Sequence, residues 1–299
     1  MISLISDAFM SSRSRAFKRD GISRTQRHGP RITHAKIRPL KLISLHFWDT
    51  LHTPSEHTYM PDCRIISGNM SDVRTVRKRQ QLNNLVAMVT ELARPSNTVV
   101  DFCSGTGHVG IALAHALPEC QVVLIENKEE SLLRAQSRGS ELGLKNIGFI
   151  QANLDYFTGA FHVGVALHAC GVATDMVMEH CVQAGAAFVV SPCCYGFIQN
   201  AVKFTFPKSK RFQGTLTYKE HMILCRFADQ TAVQLPPERR LIGKQCMGLV
   251  DLDRSWAAET HGYSVQVMTM EPESCSPKNN MLVGRPPESS GLSRAGAHI

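Results

Sequence analysis

The segment Val99-Val100-Asp101-Phe102-Cys103-Ser104-Gly105-Thr106-Gly107-His108-Val109-Gly110 limits the possible folds more than any other part of the chain. A short apolar run ends in an aspartate. A turn of small residues follows, and the chain then takes up the spacing of an amphipathic helix, Val109 to Leu117. A strand, a glycine turn and a helix in that order present backbone N–H groups and a helix N-terminus to a nucleotide-like ligand. Glu126 stands 25 residues after Asp101, at the end of a second apolar run, Val122-Val123-Leu124-Ile125. An acid at that place is positioned for a ribose diol. The plainer alternatives are an ordinary tight turn for Gly105 and Gly107 and a helix cap for Glu126.

Strand and helix patterns alternate on both sides of this segment. Asp72 caps an expected helix, Val73 to Ala93, stopped by Arg94-Pro95-Ser96-Asn97. Strands are expected at Val99–Phe102, Val122–Glu126, Ile147–Gln151, Val163–Leu167 and Ala187–Ser191, with helices at Glu129–Leu142 and Asp175–Ala184 between them. After an irregular stretch come helices Tyr218–Ala228 and Met247–Thr260, then strands Tyr263–Met270 and Met281–Gly284. The loop between the last two strands is too short for a crossover helix, so they should pair antiparallel. Five parallel strands closed by an antiparallel hairpin make an α/β fold of the class I S-adenosylmethionine-dependent methyltransferase type, Rossmann-like and seven-stranded. The spacing Asp-x-Cys-x-Gly-x-Gly agrees. Cys103 occupies the first glycine position of a dinucleotide turn, and the pattern suits S-adenosylmethionine better than a pyrophosphate.

The net charge of +8 resembles a nucleic-acid signature until it is located. Residues 1–45 hold ten Lys/Arg against two Asp/Glu, and the remainder of the chain is neutral. The expected organisation is a basic disordered tail at 1–50, a connector at 51–71, a methyltransferase-like domain at 72–285 and a disordered tail at 286–299. The basic tail reads as a solvated arm, as a mitochondrial presequence or as an arm that attracts phosphates. No window is long and apolar enough to span a bilayer, and no secretory pattern opens the chain, so the expected location is cytoplasmic. Ten cysteines in that setting are expected to be reduced. No Cys-x-x-Cys occurs, and the adjacent Cys193-Cys194 rarely serve one tetrahedral ion, so the spacing predicts no metal.

Ligands of such a sheet bind at the carboxyl ends of its strands. The expected cofactor set is Asp101 for an ammonium group, Cys103, Gly105 and Gly107 for close backbone approach, and Glu126 for the ribose. Asn153 would read the adenine edge, Leu154 would pack on the ring and His168 would line the sulfonium side. The catalytic candidates are His168 as proton acceptor, Tyr195 as a ring that stacks a planar substrate, and Cys194 as a thiol beside the transferred group. Burial as small apolar residues is the plainer reading of Cys193 and Cys194, and a satisfied core histidine that of His168. Lys203, Lys208, Lys210 and Arg211 would lie near the phosphates if RNA is the substrate. The competing expectation is a binding or scaffold module that keeps the fold without turnover, since the folded part is neutral and His168 is its one candidate base.

Three motifs carry a resemblance: Asp101-Phe102-Cys103-Ser104-Gly105-Thr106-Gly107-His108-Val109-Gly110, Leu167-His168-Ala169-Cys170-Gly171-Val172-Ala173-Thr174-Asp175 and Ser191-Pro192-Cys193-Cys194-Tyr195-Gly196-Phe197. Together they resemble the methyltransferase-like domain of the animal glutathione S-transferase C-terminal domain-containing proteins, from about Pro54 to Gly284. The resemblance implies a cytoplasmic protein with an S-adenosylmethionine fold. The family's transferase-like helical domain has no counterpart in the first 50 residues, so a shortened form is expected. The second and third motifs also resemble the eukaryotic tRNA 2′-O-methyltransferase that modifies position four of the acceptor stem. Where that enzyme follows its cysteine pair with histidines, this chain has Tyr195-Gly196.

Overall fold

Strand β1, Thr98–Phe102, is buried along nearly its whole length, as expected of a central strand covered on both faces. It pairs parallel with β2 (Gln121–Glu126) on one side and β4 (Val163–Ala169) on the other. Strand β3 (Ile147–Gln151) extends the sheet beyond β2, and β5 (Ala187–Pro192) extends it beyond β4. The closing hairpin, β6 (Ser264–Thr269) and β7 (Asn280–Arg285), is antiparallel. Strand β7 slots between β5 and β6, which gives the order β3-β2-β1-β4-β5-β7-β6. This is the seven-stranded sheet of class I S-adenosylmethionine-dependent methyltransferases. The switch in strand order falls between β1 and β4. The structure is a computed structural model and describes residues 71–198 and 203–288. The expected basic tail, most of the connector and most of the C-terminal tail lie outside the described residues.

The period-two alternation of the strands builds two apolar layers. Val99, Val163, Val165 and Val189 face one way, onto helices α1 (Asp72–Leu92) and α2 (His108–Ala116) and Ala135 of α3 (Glu129–Glu141). Val100, Ala166, Phe188 and Val190 face the other way, onto α4 (Val172–Ala184) and the last turns of a long C-terminal helix. Strand and helix bounds match the sequence expectation within a few residues, with one exception. The helix expected at Met247 begins ten residues earlier, at Pro237. Pro237 sits in the first turn of this helix, where its missing N–H costs nothing. A short helix α5 (Lys210–Gln213) and helix α6 (Tyr218–Ala228) precede this helix α7 (Pro237–Glu259). Thr217 and Glu220 close a capping box at the start of α6. Among the described residues no helix is long and apolar enough to cross a membrane.

Candidate functional site

The turn after β1 holds three residues at positive φ within five positions: Cys103 at 55°, Gly105 at 54° and Gly107 at 78°. The two glycines adopt this conformation freely, whereas Cys103 is held there at a cost of about 1–2 kcal/mol. The glycines then part in role. A Cβ on Gly105 would meet nothing within 4 Å, so that face of the turn is open. A Cβ on Gly107 would lie 2.7 Å from Ala135 Cβ and 2.9 Å from Leu124 Cδ2. Gly107 therefore brings α2 close to the sheet, with its N–H donated to Ser104 O at 2.9 Å.

Glu126, at the end of β2, receives a 2.9 Å hydrogen bond from Gly105 N–H on Oε2 and one of 3.0 Å from Lys128 N–H on Oε1. Each carboxylate oxygen accepts more than one donor, so both retain capacity for a diol. Ser104 Oγ is buried with no hydrogen-bond partner among the described residues. A cleft of about 280 Å³ opens beside these groups, lined by Cys103, Glu126, Asn127, Asn153, Leu154 and Ala173, among others. A second hollow of about 290 Å³ shares Asn127 and Asn153 and reaches the exposed Tyr156 ring. Cys103, Glu126, Asn153 and Leu154 thus converge as the sequence suggested. Burial, followed by the charges of Glu126 and Asp101, pushes the Cys103 thiol up to about 12. Asn127 and Tyr156 were not foreseen. Their signal was adjacency to residues already singled out, and only the fold shows which neighbours face the two hollows.

Asp101 does not line this cleft. Its side chain is 1% exposed and accepts a 2.8 Å hydrogen bond from Gly110 N–H in the first turns of α2. Burial raises its carboxyl to about 7, partly offset by that hydrogen bond and by the charge of Lys78. Its position fits an anchor for α2, and of the expected hold on a ligand ammonium, directly or through water, the direct form does not fit this burial.

The ends of β4 and β5 bring the remaining candidates together. His168 is at φ 67°, with Nε2 3.0 Å from Gln81 Oε1. Gln81 Nε2 donates to Cys275 O, which leaves Oε1 as acceptor and makes His168 Nε2–H the donor. Burial, then the charge of Lys78, lowers this imidazole to about 4, so it is neutral near pH 7. Cys170 follows β4 and meets the pair that follows β5. Its Sγ lies 3.1 Å from Cys193 Sγ and 3.5 Å from Cys194 Sγ, and the latter two are 3.5 Å apart. The spacing argument against a thiol cluster did not anticipate this third sulfur. Burial, then the neighbouring thiol of Cys170, pushes Cys194 up, the opposite of an activated thiolate, which does not fit Cys194 as a catalytic thiol beside the transferred group.

Tyr195 is fully buried. Its hydroxyl donates to Asp251 Oδ2 at 2.7 Å, its N–H donates to Asp229 Oδ1, and the Arg254 guanidinium lies 5.5 Å from the ring centroid. It cannot stack a substrate, because its ring belongs to the core. Arg254, 2% exposed, grips both oxygens of Asp175 at 3.2 and 3.0 Å and reaches Asp251 at 3.3 Å. Asp253 holds the turn before α5 by accepting from Lys208 N–H, Ser209 N–H and Ser209 Oγ, with His221 Nε2 3.1 Å away. Lys208 turns inward as well. Its Nζ lies 3.8 Å from Asp175 and 4.0 Å from the Phe204 ring centroid. That corrects its expected place near phosphates. Lys203 pairs with Asp155 and Glu179 at the surface, and Lys210 and Arg211 are exposed.

Comparison with known proteins agrees with this architecture. Residues 77–201 match a family model described as a methyltransferase domain. The chain is 66% identical over 268 residues to the glutathione S-transferase C-terminal domain-containing protein of Xenopus laevis, covering 86% of this chain and 42% of that protein. It is 73% identical over 219 residues to that of Homo sapiens, covering 73% of this chain and 35% of that protein. A Drosophila melanogaster homolog is 44% identical over 264 residues, covering 84% of this chain and 44% of its own length. The chain thus spans less than half of the curated relatives it matches. Among solved structures it resembles a magnesium protoporphyrin IX methyltransferase from Synechocystis PCC 6803, at 17% identity and a TM-score of 0.43 over 74% of this chain and 90% of that one.

Proposed function

We propose that this homologue of the glutathione S-transferase C-terminal domain-containing proteins uses its methyltransferase domain to bind S-adenosylmethionine in the cleft at the ends of β1, β2 and β3. The observation that carries the reading is that the Glu126 carboxylate, Asn153 and Leu154 line one cleft with Cys103, the residue that opens the turn whose Gly105 face is free. The residues fit the group. Glu126 has acceptor capacity for two hydroxyls, Asn153 offers an amide to a base edge, and Leu154 and Ala173 give apolar wall. Bound there, the sulfonium supplies an already activated methyl group, so the chain's task is to align an acceptor and exclude water. Burial lowers the His168 imidazole to about 4, which makes it a weak proton acceptor and leaves solvent to take the acceptor's proton.

Calorimetric titration with S-adenosylhomocysteine tests the site. Saturable binding to the full chain is expected, weakened at least about tenfold when Glu126→Ala is combined with Gly105→Arg. No binding to the wild type, or undiminished binding to the double variant, refutes it.

The acceptor we propose is an RNA, reached through Lys210 and Arg211, both exposed at the start of α5, with the Arg211 guanidinium 4.6 Å from the Trp256 ring centroid. One observation favours a second reading, a binding module without turnover. Tyr195 and Lys208, which would have faced a nucleic acid, are folded into the core. Incubation with cofactor labelled in its methyl group and total cellular RNA or protein decides. Label on RNA that falls when Lys210 and Arg211 are both replaced by Glu supports the first reading. Cofactor binding without transfer to any pool supports the second.

A further inference from the structure

The three sulfurs at the ends of β4 and β5 have no role in cofactor binding as described above. Their separations of 3.1, 3.5 and 3.5 Å form a nearly even triangle. A tetrahedral zinc with Zn–S bonds of about 2.3 Å holds its sulfurs about 3.8 Å apart, so a small opening of this triangle admits the ion. The surrounding bonds fix the two loops that carry the thiols. Gly171 N–H donates to Cys194 O at 2.9 Å and ties one loop to the other. Asp229 accepts from Tyr195 N–H and Gly196 N–H at 3.0 and 2.9 Å, just past the pair. The Tyr195 hydroxyl and Arg254 Nη2, the latter on Gly171 O, pin both turns to the buried network. Supporting bonds of this kind aim ligands before an ion arrives.

We propose that Cys170, Cys193 and Cys194 form a three-thiolate zinc site with its fourth position open to solvent beside the cofactor cleft. Cys170 is exposed and the pair is half-buried, which leaves an entry path on the Cys170 side. Three protein ligands plus a water is the arrangement of zinc sites that keep an exchangeable position. On binding, three S–H bonds give up their protons to solvent and three Zn–S bonds form, with no change of oxidation state. Thiolate ligands select soft or borderline cations. A [4Fe–4S] cluster is disfavoured because each cysteine there binds a different iron, which sets the sulfurs farther apart than these, and a [2Fe–2S] cluster takes four protein ligands where this group offers three. A disulfide between Cys170 and Cys193 would use two of the thiols and leave the third without a purpose.

The test uses the full chain, purified under reducing conditions from zinc-supplemented cells. Elemental analysis is expected to give about one zinc per chain, falling at least about tenfold in each of Cys170→Ser, Cys193→Ser and Cys194→Ser. Cys246→Ser, a buried thiol outside the cluster, should keep the metal. Circular dichroism melts show whether a variant that loses zinc has also lost its fold. Titrating the metal-stripped wild type with Co²⁺ avoids that question, since tetrahedral thiolate coordination gives a charge-transfer band and intense ligand-field bands. Absence of both zinc and the cobalt spectrum in the wild type overturns the proposal, as does zinc retained by Cys170→Ser. Protein isolated without reductant that is two hydrogens lighter, linked Cys170 to Cys193, and unable to take up zinc after reduction, overturns it in favour of a redox pair.

Discussion

The two ends of the sheet's carboxyl edge are built in opposite ways. At the ends of β1 to β3, polar groups keep capacity for something outside: Glu126 bonds to the N–H groups of its close neighbours Lys128 and Gly105, and Ser104 Oγ has no partner among the described residues. At the ends of β4 and β5, polar groups are used on one another. Arg254, Asp175, Asp251, Tyr195 and Asn280 form one buried set, joined across separations of up to 79 residues. The first region is a socket and the second is a brace. A buried ion set stabilises little relative to a well-packed apolar core, but it is costly to break by halves. This brace therefore specifies where the loops after β4 and β5 sit more than it adds stability.

Breaking the brace should have the largest effect. Arg254→Met leaves Asp175 and Asp251 buried without their cation, and urea unfolding should show a loss of about 3–5 kcal/mol. A loss below about 1 kcal/mol would mean that the network is not a brace at all.

The next effect belongs to the socket side and depends on pH. The Asp101 carboxyl rises from its ordinary 3.8 to about 7 in the folded protein, chiefly through burial. The folded state then holds this proton more tightly than the unfolded state does. The stability it contributes is full below about pH 4 and is lost as pH climbs towards 7. Asp101→Asn removes that dependence. The variant should match the wild type near pH 4 and exceed it near pH 8 by about 2–4 kcal/mol. Parallel stability curves from pH 4 to pH 8 would show that Asp101 is charged throughout.

The smallest effect sharpens the contrast at one residue. Tyr195→Phe removes one hydrogen bond to Asp251, which still receives Asn280 Nδ2 and Arg254. Stability should fall by about 1–2 kcal/mol with cofactor affinity unchanged. A raised KM for an acceptor with unaltered stability would instead return Tyr195 to the substrate face.

The sequence by itself determined the strands, their order of appearance, the antiparallel closing hairpin, and the Gly105, Glu126 and Asn153 edge. Those features rest on apolar periodicity and on residues adjacent to strand ends, which are local properties of a chain. Only the tertiary structure decided that Gly107 packs while Gly105 stays open, that Tyr195 and Lys208 turn inward, and that Cys170 joins Cys193 and Cys194. Each of those outcomes depends on what a distant element places opposite the residue. Leu124 and Ala135 crowd Gly107, Asp251 on α7 captures Tyr195, and the parallel pairing of β4 with β5 brings together sulfurs 23 residues apart. A side chain's direction is settled by its burial and its partners, and a linear pattern carries neither.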